Sequence, residues 1–363
     1  MLFCLAAFLV GLSSGPVQTP KPGGREVTDM TGRTVVLDGP AEQVFILTPV
    51  LWHYLSTSLD DGPVVKIPPY MRREFSLSVL GRLFPDLKNK AAAFTNFGHP
   101  GPISVEEVLE ARPDAALVWD YMSQGLELVN FQGLMKTTAD GGDKTKLFRT
   151  LGELTGQEDR VRWLWERYER ERDAVAAEMK DCVRPVRIAI LGTTGFALWG
   201  PPSQRFLTGN LSLICGRNVA EGLSSTNGQL NLENLMRLEP DVIYLNPYVL
   251  DQTDLETGAI CADPRFQGLE AVRRRRVYHM PLGASRLEGP VEAALSLLWL
   301  RLTMHPDAPS ALDLRQKVRE TYRDVYGYDM SDEEIDVWLR LEENSPSAFY
   351  GQFAKKGQKL EKS

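Results

Sequence analysis

Two segments of the chain carry the same order of apolar and polar positions. One runs ISVEEVLEARPDAALVW from Ile103 to Trp119, the other LNLENLMRLEPDVIYLN from Leu230 to Asn246. Glu106 and Glu233, Pro113 and Pro240, and Asp114 and Asp241 stand at matching places, and the apolar positions between them coincide. In each segment apolar residues first recur at helical spacing, a Pro-Asp pair then breaks the helix, and a continuous apolar run reads as a buried strand. A helix–strand unit that occurs twice predicts two similar α/β lobes, and two lobes enclose a cleft.

The remaining pattern fits around these units. Glu26 to Leu37 alternates about Thr31-Gly32-Arg33 and predicts a β-hairpin. Val44 to Leu47 is a short buried strand stopped by Thr48-Pro49, and Leu51 to Ser58 starts a helix. Ser76 to Phe84 is amphipathic, and the polar, Gly-containing stretch from Lys136 to Lys146 reads as a loop. Glu158 to Cys182 contains neither Gly nor Pro and repeats apolar residues at helical spacing until Pro185. Such a helix would run about 37 Å. It lies midway between the repeats, so it is expected to connect the lobes. Beyond it, Arg187–Leu191, Phe196–Trp199 and Arg276–Met280 read as strands. Asn210–Cys215, Phe266–Val272 and Gly289–Met304 read as helices, as does Ser331–Leu341, where Ser331 and Glu334 form a capping box. The expected organisation is an N-terminal lobe over 18–157, a connector over 158–182, a C-terminal lobe with terminal helices over 183–342, and a polar tail over 343–363.

Composition narrows the function. A net charge of −7 argues against a nucleic-acid partner. Four Cys and four His include no C-x-x-C or H-E-x-x-H, which excludes the zinc sites built on those motifs. Residues 1–17 hold a short apolar core followed by small residues, the pattern of a secretory signal peptide, and predict a periplasmic location. Cys4 lacks a lipidation context. Of the other cysteines, Cys215 and Cys261 both fall in the second half and could pair.

Taken in order, Val27-Thr-Asp-Met-Thr-Gly-Arg-Thr-Val35, Val44-Phe-Ile-Leu47, the two E-x(6)-P-D units and Ala271-Val…Arg276-Val-Tyr278 resemble the periplasmic substrate-binding proteins of ABC importers for ferric siderophores, cobalamin and haem. The resemblance covers about residues 25–342. It implies two Rossmann-like α/β lobes joined by a single long helix, with the ligand in the cleft between them. It further implies a monomeric receptor with no cofactor of its own, whose ligand is an iron-containing chelate, a ferric siderophore first, and whose partners are the membrane subunits of an importer. In that family one Glu on each lobe, seven residues before the Pro of the repeat, docks onto transporter arginines, and the matching positions here are Glu106 and Glu233.

Ligands of open α/β sheets bind beyond the carboxyl ends of the strands. Those ends carry Trp52, Tyr54, Trp119, Tyr121, Trp199 and Tyr248, whose faces suit a large, partly apolar chelate. Arg205 and Arg286 offer guanidinium forks to anionic groups. His53 could reach a metal, although a lone His is more often a packed core residue. Tyr70 is a weaker candidate, while His99 and His279 read as turn and strand residues. Gly192-Thr-Thr-Gly195 is neither a P-loop nor a dinucleotide fingerprint, and no G-x-S-x-G occurs. No catalytic residue is therefore assigned. The rival reading is a chelatase-like or cofactor-assembly enzyme acting on a metal tetrapyrrole, which shares the two-lobe plan.

Overall fold

A computed structural model describes residues 24–46, 48–67, 78–90, 104–138, 143–194, 197–199, 209–221, 229–230, 232–246 and 257–355. An antiparallel hairpin of β1 (Arg25–Thr28) and β2 (Thr34–Leu37) opens this span. Asp29 organises its turn: Oδ1 accepts from the N–H groups of Thr31 (2.8 Å) and Arg33 (3.0 Å), and Oδ2 accepts from Lys136 N–H (2.9 Å). Gly32 supplies the positive φ of 90° that the turn needs.

Two parallel sheets follow. After β3 (Val44–Ile46) come α1 (Val50–Ser58), β4 (Val64–Lys66), α2 (Leu80–Leu83), α3 (Val105–Ala111), β5 (Ala115–Trp119), α4 (Gln124–Leu128) and β6 (Leu134–Thr137). The first sheet has the order β4-β3-β5-β6, parallel throughout. Next come α5 (Lys144–Thr155), α6 (Glu158–Ala177), β7 (Val186–Thr194), β8 (Ala197–Trp199), β9 (Gly216–Asn218), β10 (Gln229–Leu230), α7 (Leu232–Leu238), β11 (Val242–Leu245), α8 (Thr257–Ala262), α9 (Glu270–Arg273) and β12 (Val277–His279). In the second sheet β9-β7-β11-β12 are parallel, and the far end of β7 continues into antiparallel β8 and β10. Each sheet has its second strand on one side of the first and its third on the other. That reversal is a topological switch point. Helices α10 (Gly289–Met304), α11 (Leu314–Tyr326) and α12 (Asp332–Leu339) follow.

The repeated Pro-Asp has a structural cause. Asp114 Oδ2 accepts from the N–H groups of Glu42 (2.8 Å) and Gln43 (2.9 Å), and its own N–H donates to Gln43 O (2.8 Å). Asp241 repeats the arrangement on Arg187, whose N–H reaches Oδ2 at 2.8 Å and whose carbonyl accepts at 2.7 Å. Each Asp thus ties the start of the repeat strand to the start of its neighbour. The strands then alternate between two apolar faces. Ala115, Leu117, Val242 and Tyr244 face the main core, while Ala116, Val118, Ile243 and Leu245 face two outer clusters that Val108 and Leu235 help to close.

The main core is continuous across both halves and runs from Val27 to Phe353. Helix α6 lies within this layer, against α5 on one side and α10 on the other. It ends at Ala177 rather than Cys182, and looser turns carry the chain on. There Glu178 turns inward to form an ion pair with Arg301 (Nε–Oε2 3.1 Å) and to accept from Ser310 Oγ (3.0 Å) and Ala311 N–H (2.9 Å). The disulfide joins Cys182 to Cys215, with Cα atoms 6.1 Å apart, and Cys261 is free, so the pairing of Cys215 with Cys261 is corrected.

Two further expectations change. The stretch read as a loop from Lys136 to Lys146 contains the end of β6 and the start of α5, whose N-cap Asp143 accepts from Thr145 N–H (2.9 Å) and Lys146 N–H (3.3 Å). The segment read as a polar tail from 343 folds back as far as Phe353. Tyr350 is buried and its hydroxyl accepts from Trp299 Nε1 (3.0 Å), while Asn344 bridges the N–H and carbonyl of His279. Residues 356–363 and the segment 1–17 lie outside the described residues. The terminal helices also reach the first half: Arg82 pairs with Glu334, Phe84 meets Tyr326 edge-on at 6.4 Å, and Arg160 donates to Ser56 O (3.0 Å) and Val325 O (2.8 Å). An apolar layer of this extent, braced by these contacts, restrains relative motion of the halves.

Candidate functional site

The chain leaves β5 through Trp119, Asp120 and Tyr121. Trp119 and Tyr121 stack with ring centroids 5.6 Å apart and planes at 30°. Tyr121 is 61% exposed. The pair forms an aromatic ledge beside the switch point between β3 and β5.

A cluster of ionisable side chains is drawn from three other strand exits. His53 comes from α1 after β3, Lys144 from the first residue of α5 after β6, and Glu288 from the loop after β12. Lys144 Nζ is 2.7 Å from Glu288 Oε2 and 3.2 Å from His53 Nε2, while His53 Nε2 and Glu288 Oε2 are 3.8 Å apart. His53 and Lys144 are buried, and Glu288 is about one-third exposed. The cluster therefore bridges the two halves of the molecule. The His53 ring rests on Phe148, one turn along α5 from Lys144, at 5.3 Å. Gly289 closes the far side with φ of 68°. A Cβ there would lie 2.8 Å from the Phe148 ring and 3.4 Å from His53 Nδ1, so a larger residue would displace the Phe148 ring.

The electrostatics follow from this packing. Burial, then the Lys144 charge, then that of Arg286 push the His53 imidazolium down to about 4, against the opposing pull of Glu288. His53 is accordingly neutral at pH 7, with its Nε2 lone pair toward the Lys144 ammonium and the proton assigned to Nδ1. For Glu288 burial acts upward, but the adjacent Lys144 ammonium outweighs it and holds the carboxyl well below its usual range. The result is a neutral ring beside one fixed ion pair. Arg286 lies in the same loop as Glu288. It and Leu287 adopt left-handed φ values of 59° and 60°.

The structure gathers His53, Arg286, Trp119 and Tyr121 at the carboxyl ends of the strands. Trp52 and Tyr54, the neighbours of His53 on α1, are each 1% exposed and pack in the main core, which takes them off the surface a ligand would meet. Helix α1 is buried from Val50 to Thr57 because it is covered on all sides, so Trp52 and Tyr54 enter the main core while His53 between them meets Phe148 and Lys144. Trp199 lies in β8, in register with Gly192 and Gln229, and its backbone alone is described. Arg205, Tyr248, Tyr70 and His99 lie outside the described residues. Glu106 and Glu233 are exposed, each in the first turn of its repeat helix, the end nearest the carboxyl ends of the strands.

Lys144 and Glu288 were not foreseen. Asp143 followed by Leu147, Phe148, Leu151 and Leu154 is an N-cap and an apolar stripe, which marks α5 and would have placed Lys144 at its start. Glu288 carries no local signal, since its partners come from the other half of the chain.

Comparison with known proteins agrees with this architecture. The sequence model of a periplasmic binding protein family matches residues 82–282. The chain is 24% identical over 214 residues to the iron(3+)-hydroxamate-binding protein FhuD of Bacillus subtilis, a match that covers 55% of this chain and 65% of that relative's length. It is 25% identical over 278 residues to the molybdate-binding protein MolA of Haemophilus influenzae, covering 68% of this chain and 75% of MolA. Among solved structures, a periplasmic solute binding protein from Veillonella parvula superposes with a TM-score of 0.73 at 21% identity, covering 88% of this chain and 98% of that one. These are binding proteins and not enzymes, so the chelatase-like alternative falls away. No helix among the described residues is long and apolar enough to cross a membrane.

Proposed function

The chain belongs to the periplasmic binding protein family, and from that premise we propose that it captures a metal chelate, a ferric siderophore foremost, outside the cytoplasm and delivers it as a monomer to the membrane subunits of an ABC importer. The observation that carries the ligand class is the ledge of exposed Tyr121 stacked on half-buried Trp119 beside a switch point. Aromatic faces attract the apolar body of a chelate, and the Arg286 guanidinium favours an anionic one. Trp199, Arg205 and Tyr248 complete the proposed site from the second half, and His53 shapes its floor. A bare oxyanion, as the likeness to MolA would have it, needs the cations but not the ledge.

Delivery rests on Glu106 and Glu233. The two repeats present an exposed carboxyl group at equivalent places on the two halves, which suits docking onto a two-fold pair of transporter arginines. The test is titration of purified protein with ferric trihydroxamate, ferric tricatecholate, haem, cobalamin and molybdate, read by Trp fluorescence. Saturable quenching by an iron chelate, with most of the signal lost in Trp119→Phe, is expected. Binding of molybdate alone would overturn the chelate reading.

A further inference from the structure

The loop between β12 and α10 is built on a carboxyl group that no ligand reaches. Glu292, fully buried near the start of α10, takes five hydrogen bonds. Its Oε1 accepts from Ala284 N–H (2.9 Å) and from the Tyr322 hydroxyl (2.5 Å). Its Oε2 accepts from Ser285 N–H (2.8 Å), Ser285 Oγ (2.9 Å) and Leu287 N–H (3.2 Å). Burial, then the Glu292 charge, push the Tyr322 hydroxyl well up from its usual range, which keeps it a donor. Gly283 makes room for the group, since a Cβ there would lie 2.1 Å from Oε2.

What these bonds hold is an uncommon backbone. Arg286 and Leu287 are consecutive left-handed residues, and such strained backbone persists only where its surroundings over-determine it. Three of the five donors are backbone N–H groups of residues 284–287. The loop so shaped delivers Glu288 to Lys144 and brings the Arg286 charge near His53.

We propose that Glu292 is a positioning residue for ligand recognition: it fixes the 283–288 loop so that Arg286 is presented ready-set to an anionic group of the chelate. This rests on the function proposed above. Pre-forming the loop removes an ordering cost that binding would otherwise carry, so loosening it weakens binding through Arg286 and through no other group.

The test is a double-mutant cycle on whichever of the five probes binds the wild type. Arg286→Ala and Glu292→Gln should each weaken Kd at least about tenfold, and the double variant should bind within about twofold of Arg286→Ala alone. Amide exchange should quicken at residues 283–288 in Glu292→Gln and hold elsewhere. Gly283→Ala displaces the carboxyl group without removing it and should behave in the same way, which keeps the test open if Glu292→Gln does not fold. Losses that multiply in the double variant would overturn the inference, as would wild-type affinity in a variant whose loop exchanges fast. If the wild type binds a probe and Arg286→Ala binds it equally well, the function stands and this inference falls. If the wild type binds none of the probes, the function fails and the inference with it.

Discussion

Replacing His53 with Gln should flatten the acid side of the stability curve. The ring is fully enclosed and its folded-state value is about 4 against 6.5 in the unfolded chain. A His whose value is depressed on folding binds more protons when unfolded, so acid favours unfolding. The loss begins as pH falls through 6.5 and is complete near 4. From pH 7 to pH 5 it amounts to about 2 kcal/mol, and by pH 4 to about 3 kcal/mol. Gln offers an amide oxygen to Lys144 Nζ in place of the ring nitrogen and does not titrate, so the ion pair keeps its neighbour while the proton linkage vanishes. Glu288 does not enter this window. Its depressed value stabilises the fold above the usual carboxylate range, and that contribution is lost only as pH falls further. His305, also lowered by burial, is present in both proteins and cancels. The assay is urea unfolding of wild type and His53→Gln at pH 7 and pH 5. The difference in unfolding free energy between the two proteins should move by about 2 kcal/mol in favour of the variant at pH 5. Parallel stability curves would refute the reasoning, because they would mean that His53 meets solvent or takes up its proton inside the fold.

Reversing Glu106 and Glu233 to Lys together should abolish ligand uptake by cells, since like charges facing each other at an interface cost several kcal/mol, while melting temperature and ligand Kd hold. Lost ligand binding would instead place these groups in the site. Replacing Cys182 and Cys215 with Ser opens a link across 33 residues of sequence and should cost about 3–4 kcal/mol in urea unfolding on the chain-entropy account. Small-angle scattering should show no change of several ångströms in radius of gyration on ligand binding, because α6 and the core around it tie both halves. A larger change would mean that this layer opens.

Legibility in the sequence followed locality. The repeat was visible because each helix, turn and strand is specified within about seventeen residues, and because Asp114 and Asp241 do the same job at the same place. The hairpin, α10 and the Ser331 capping box were visible for the same reason. Helix α5 was hidden because a polar, Gly-containing lead-in drew attention from the stripe that follows it. The span of α11 drew no reading, although its buried Leu314, Val318, Thr321, Tyr322 and Val325 fall at helical spacing. In the site, Trp119 and Tyr121 were reachable from a strand exit alone. Trp52 and Tyr54 sat beside the right strand but on a helix covered from every side, which single-sequence periodicity does not reveal. Lys144, Glu288 and Glu292 matter through partners more than a hundred residues away or through a loop shape, and neither leaves a local trace. Cysteine spacing was likewise silent on which thiols meet.

The way the terminal helices clasp the first half sets the order in which the molecule can be completed. Leu80, Phe84 and the underside of α1 share a core with Tyr322, Trp338 and Phe353, and Arg160 bonds to carbonyls on both α1 and α11. The first parallel sheet, made early in synthesis, shares its inner core with helices that emerge last. Chains whose domains mature one after another shield each apolar surface as it appears; this one must keep its early half waiting for its late one. An incomplete chain would show much of the shared core to its surroundings.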